Sequence, residues 1–167
     1  MTTYLHVTFG SQAVLQDIQH HHSERGLLLT VDAADKDRYQ LLDLTNAQQS
    51  VFAMPTTYAV LASFHATLDI RGWLNFDLMT LPDLQRDNFM KRFRADADLQ
   101  RANGLINAYL LQRTDNLQQV AVLTTWQTEW DWQRWHSSPS YLLNNYEKDA
   151  VQYSFLHKQY RFAAFMK

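Results

Sequence analysis

A chain of 167 residues with 46% hydrophobic and 19% charged content holds enough apolar material for one compact domain, or a domain with a smaller companion, and is not disordered. Its formal net charge of −2 gives no basic field for nucleic acid or for an anionic membrane. The absence of cysteine removes disulfides, thiolate nucleophiles and Cys-ligated metals, and with no export signal at residues 1–7 and no apolar run of ~20 residues the expected location is the cytoplasm.

In chain order, Tyr4 to Phe9 reads as a short strand, and Gly10-Ser11 supplies a turn and an N-cap for a helix to about His22, with Val14, Leu15 and Ile18 at helical spacing. Gly26 breaks that helix. Leu27–Val31 and Tyr39–Leu44 are apolar runs across the polar turn 32–38, which predicts a hairpin, and Val51–Met54 and Tyr58–Ala66 read as two more extended segments. Residues 1–68 thus form a small strand-rich unit with one helix. Residues 69–167 open a second pattern after the turn 69–72.

That second pattern starts with a strand at Trp73–Met79 and a helix from Asp83 to about Gln100, with Pro82 suited to its first turn. Leu105–Leu111 and Val120–Trp126 flank turn residues 114–116 and predict another hairpin. Thr128 followed by Asp131 matches a capping box opening a helix that carries Trp130, Trp132 and Trp135, and Ser140 can cap a further helix to about Asp149. Tyr153–Met166 reads as a closing strand. Strand–helix–strand–strand–helix–strand is the ferredoxin-like order, so the fold class is α+β. Its sheet has one face in need of cover, supplied by a second copy in a dimeric α+β barrel or by the smaller N-terminal α+β part of the same chain.

Four of the five tryptophans fall between Trp126 and Trp135. Trp126 and Trp132 at helix and strand spacing read first as core, Trp130 as outward-facing, and Trp135 as divided between packing and pocket lining. His20-His21-His22 reads as a solvated helix end, because consecutive helical side chains point about 100° apart and cannot share an ion. No metal site is therefore assigned. Glu129, Asp131 and Glu147 read as caps and solvated charges, and the four isolated glycines give no phosphate loop.

The segments Tyr4-Leu5-His6-Val7-Thr8-Phe9-Gly10 and Val122-Leu123-Thr124-Thr125-Trp126-Gln127-Thr128-Glu129, followed by Trp132 and Trp135, resemble the antibiotic-biosynthesis-monooxygenase (ABM) domain family. Within it the similarity is to haem-degrading monooxygenases of Gram-positive bacteria and to the staphylococcal target of RNAIII-activating protein. The resemblance implies a ferredoxin-like barrel, a homodimer, haem or another planar aromatic molecule as ligand, and an oxidoreductase reaction, either haem-degrading or cofactor-free. Residue by residue, it places the porphyrin-bending tryptophan at Trp135 and the oxygen-side asparagine at Asp77, or at Asn75 after a two-residue shift. The iron-ligating histidine position falls at Asn145, an amide without a basic ring nitrogen. His136 or His157 would then have to supply the ligand, with Trp132 lining the pocket. Asn75, Asp77, Trp135 and Asn145 are the group expected to converge in a cofactor-free oxygenase. The alternative implied by Asn145 is a non-catalytic relative used for ligand sensing or protein interaction.

Overall fold

The computed structural model describes residues 3–44, 49–65 and 70–163. Eight strands close one antiparallel barrel: β1 (Tyr4–Gly10), β2 (Leu28–Asp32), β3 (Tyr39–Asp43), β4 (Thr56–Phe64), β5 (Trp73–Thr80), β6 (Leu105–Arg113), β7 (Gln119–Trp126) and β8 (Leu156–Phe162). Around the barrel they run β1-β3-β2-β8-β5-β7-β6-β4. The first four strands are ordered β4-β1-β3-β2 and the last four β8-β5-β7-β6, which is one ferredoxin-like order used twice. The halves meet at two seams, β2 on β8 and β4 on β6.

The open sheet face expected from the sequence is therefore covered within the chain, and a second copy is not needed to close the barrel. The expected boundary between residues 68 and 69 lies outside the described residues. A loose repeat between the two parts is visible in the strand order, although the sequence shows no residue-level repeat.

Strand alternation divides the interior into layers. Leu5, Val7, Leu42, Leu74, Phe76, Leu111, Leu123 and Tyr160 point into the lumen and fill it, so the barrel is a packed core with no channel. On the outside, Leu15 of α1 (Gln12–His21) covers Leu29, Val31 and Leu41 of the first half. The second half carries α2 (Asp83–Arg94), α3 (Ala97–Gln100), α4 (Glu129–His136), α5 (Asn144–Lys148) and α6 (Ala150–Tyr153) over Trp73, Met79, Val120 and Val122.

Local chemistry explains most element ends. Ser11 accepts the Val14 amide and Thr128 the Asp131 amide, as their capping positions predict. The helix expected from Asp83 to Gln100 is instead two, because Asp96 turns extended and accepts the Leu99 amide, starting α3. Val51–Met54 is a series of bends, not a strand. Every barrel strand already has two neighbours, so no edge remains for it, and Phe52 is buried beneath α1 instead. The closing strand starts later than expected, at Leu156, and runs to Phe162; residues 164–166 of the expected run lie outside the described residues.

Candidate active site

β5 and β8 lie side by side with Asn75 opposite Gln159 and Asp77 opposite His157. Cross-strand partners on one face touch, and period two turns Trp73, Asn75, Asp77 and Met79 away from the lumen toward the helices. Asn75 and Asp77 are fully buried there. Gln159 Nε2 donates to Asn75 Oδ1 at 3.2 Å, and Asn75 Nδ2 donates to Asp77 Oδ2 at 2.7 Å. His157 Nδ1 is hydrogen-bonded to Asp77 Oδ1.

The relay continues outward. His157 Nε2 stands 3.3 Å from Glu147 Oε1 on α5. Glu147 Oε2 in turn lies 2.9 Å from His136 Nε2 at the last residue of α4. Aromatic rings hold this chain in place: Trp132 stacks on His136 at 4.8 Å, Tyr141 meets His136 at 4.9 Å, and Trp135 lies between Tyr141 at 4.8 Å and Trp126 at 5.5 Å. Tyr141 Oη, Trp132 Nε1 and Trp135 Nε1 are buried without a hydrogen bond. Buried donors left unpaired are costly.

Burial disfavours the Asp77 carboxylate and lifts its pKa, with His157 and Asn75 pulling back. Burial also opposes the His157 imidazolium, but hydrogen bonding and charge from Asp77 and Glu147 outweigh it and hold His157 above the ordinary imidazole value. The pair thus keeps a proton that the unfolded chain releases. Stability from the raised His157 is fully present below the unfolded imidazole value of ~6.5 and is lost as pH rises through the folded value, and raised Asp77 has the same sign. In chelator-treated protein, the thermal midpoint should fall from about pH 6.5 upward, and Asp77→Asn should flatten that fall; a midpoint that climbs over this window contradicts the pairing.

Two grooves flank the cluster. One of ≈ 420 Å³ is lined by Arg92, Asp96, Tyr141, Leu142, Asn144 and Asn145 among others. The other, ≈ 220 Å³, includes Ala102, Asn103, Arg134, Trp135, Ser138 and Ser140. Tyr141 belongs both to the larger groove and to the ring contacts of the relay, and its phenol is raised by burial and then by the negative charges of Asp77 and Glu147.

Of the residues singled out in the sequence, Asn75, Asp77, Trp132 and His136 come together, and Trp135 joins them through Tyr141. Asn145 does not; it is exposed in the larger groove. Trp126 is core and Trp130 is 75% exposed, as expected. Glu147 is the residue that sequence reading misassigned, since it joins two histidines instead of standing solvated. His157 was noted only as a substitute iron ligand. Its facing of Asp77 depends on a strand pairing 80 residues apart, which no local pattern announces.

Residues 78–143 match the family model described as antibiotic biosynthesis monooxygenase. Among solved structures, the chain is similar to a ferredoxin-fold protein related to antibiotic biosynthesis monooxygenases from Listeria monocytogenes, at 18% identity and a TM-score of 0.81, covering 96% of this chain and 94% of that one. It is also similar to the heme-degrading enzyme LmHde of Listeria monocytogenes, at 19% identity and a TM-score of 0.74 over 95% and 99% of the two chains. A protein described as a major regulator of staphylococcal pathogenesis aligns at 14% identity and a TM-score of 0.76 over 95% and 98%. At these identities the likeness shows the fold. No curated protein matches the chain.

Proposed function

We propose that this chain, which carries an ABM domain with its family match at residues 78–143, is a cofactor-free oxygenase for a small planar aromatic molecule bearing an acidic C–H or O–H group. The observation that carries this reading is the placement of Tyr141: it lines the ≈ 420 Å³ groove and abuts the relay of buried Asp77 and half-buried His157, Glu147 and His136. That volume lies within the ~300–1,000 Å³ typical of small-molecule sites. Arg92 at the groove supplies positive charge to a forming ring anion, and Asn144 and Asn145 supply amide groups to orient it.

In this reading substrate binding supplies the partner that the Tyr141 hydroxyl lacks in the free protein, and the substrate proton passes by way of that hydroxyl to Glu147, which lies between two imidazoles and so can accept it and hand it on. The ring anion then reacts with dioxygen. For an anthrone, the methylene carbon keeps one oxygen atom as a new carbonyl, and the other leaves as water with the two methylene hydrogens. Trp132 and Trp135 serve as the aromatic wall behind the relay.

Haem, implied by the family resemblance, does not fit the residues as they stand. The space between β5 and α4 is filled by Trp126, Trp132, Trp135 and Tyr141, all buried. The family's ligand position, Asn145, is exposed and carries no imidazole.

The test is anthrone with purified protein under air. We expect tryptophan fluorescence quenching, uptake of one dioxygen per anthrone, and a Tyr141→Phe variant that binds but turns over about 100-fold more slowly. Quenching without oxygen uptake would favour the non-catalytic, ligand-sensing reading. Neither signal, or a Soret shift at stoichiometric hemin, would sink the proposal.

A further inference from the structure

One ring nitrogen each of His136 and His157 and a Glu147 carboxylate oxygen come within 4.8 Å of one another. We infer that these three side chains form a binding site for a divalent first-row transition metal ion, with Asp77 as the positioning residue behind it. Two imidazoles and one carboxylate are the donor set of mononuclear iron(II) and zinc sites that keep open positions for water or substrate.

The distances suit a metal. Ligands ~2.0–2.2 Å from one ion lie roughly 3–3.5 Å apart, and here His136 Nε2 is 2.9 Å from Glu147 Oε2 and His157 Nε2 is 3.3 Å from Glu147 Oε1. Small side-chain movements bring the two imidazoles together around an ion. All three side chains are partly open, 27–35% exposed, which leaves an entry path.

A second observation is independent of this spacing. Tyr141 Oη, on a residue only 4% exposed, is buried without a hydrogen-bond partner beside His136. His157 gives its Nδ1 to Asp77, which turns Nε2 toward Glu147 as the ligand atom; a carboxylate behind a metal-bound histidine is the common outer-shell arrangement. Trp132 fixes the ring of His136 by stacking at an interplanar angle of 21°. On binding, the metal takes the place of any proton on His157 Nε2.

The inference does not depend on the oxygenase reaction proposed above: an ion and a proton compete for Glu147, so the metal-bound form is a separate state of the cluster. Its test needs no organic substrate. Metal binding without anthrone turnover, or the reverse, therefore separates the two failures. The protein used is the full chain, chelator-treated, with His20→Ala, His21→Ala and His22→Ala introduced to remove the histidines at the end of α1 and its C-cap. Cobalt(II) is titrated while the visible spectrum is recorded. We expect one ion per chain, ligand-field bands, two hyperfine-shifted imidazole N–H resonances in the proton NMR spectrum, and a dissociation constant of about 1 μM or tighter.

Glu147→Gln and His136→Ala should each weaken binding by about 100-fold, and Asp77→Asn by roughly 10–100-fold without moving the bands. Absence of bands at about a tenfold excess of cobalt(II), or an unchanged affinity in a folded Glu147→Gln protein, overturns the site. Because the spectrum and the two N–H resonances are read on the otherwise unaltered cluster, a variant that fails to fold does not leave the question open.

Discussion

Alanine at Gly72 is expected to destabilise the protein by about 3 kcal/mol or more, combining left-handed backbone strain with a steric clash. Gly72 has φ +79°, and a Cβ built there would lie 2.0 Å from the carbonyl oxygen of Trp126. That oxygen is backbone, so no rotamer change relieves the overlap. The residue immediately precedes β5, whose first pair is Trp73 with Trp126, so the chain must shift at the point where the second half begins. At roughly 2–4 °C per kcal/mol for a chain of this size, the thermal midpoint should drop by about 6–12 °C. A Gly72→Ala protein within about 1 kcal/mol of the parent in urea unfolding would show that the approach is looser than described.

Trp126→Ala should cost about 3–5 kcal/mol, the range for emptying a buried aromatic site. The indole is fully buried, donates from Nε1 to Thr124 Oγ1 at 2.8 Å and tilts against Trp135 at 5.5 Å. Its loss leaves a cavity beneath α4 and strands the Thr124 hydroxyl, which is itself fully buried. The neighbouring control is Trp130→Ala: at 75% exposure the change should stay within about 0.5 kcal/mol. Equal losses in the two variants, measured by urea unfolding, would contradict the assignment of one as core and the other as surface.

Both residues also show where sequence reading works. Strand and helix order in the second half follows from apolar spacing and from the Thr128 cap, and both are local signals. The outward turn of Trp130 and the inward turn of Trp132 follow from helical spacing in the same way. The site was half legible: Asn75 and Asp77 share a strand face by period two, and His136 lies one turn from Trp132.

What joins them was not. Glu147 looks like any charged residue on a short helix, and its two histidines come from α4 and β8, eleven and ten residues away along the chain. His157 meets Asp77 only through antiparallel pairing of β5 with β8, a contact settled by the closure of the barrel. Val51–Met54 failed for the matching reason, since an apolar run becomes a strand only where a neighbour has unpaired backbone groups.

β8 pairs with β2 of the first half and with β5 of the second, and this sets an order of events during synthesis. Contacts that close long loops form late, and chain emerging from the ribosome cannot pair with a segment that does not yet exist. Until residues 156–162 have been made, β2 and β5 each present an unpaired edge. Their exposed backbone is a template for pairing with another nascent chain. Truncation before β8 should therefore yield aggregating protein, and with His157 on that strand, the reactive cluster is assembled only once translation has passed it.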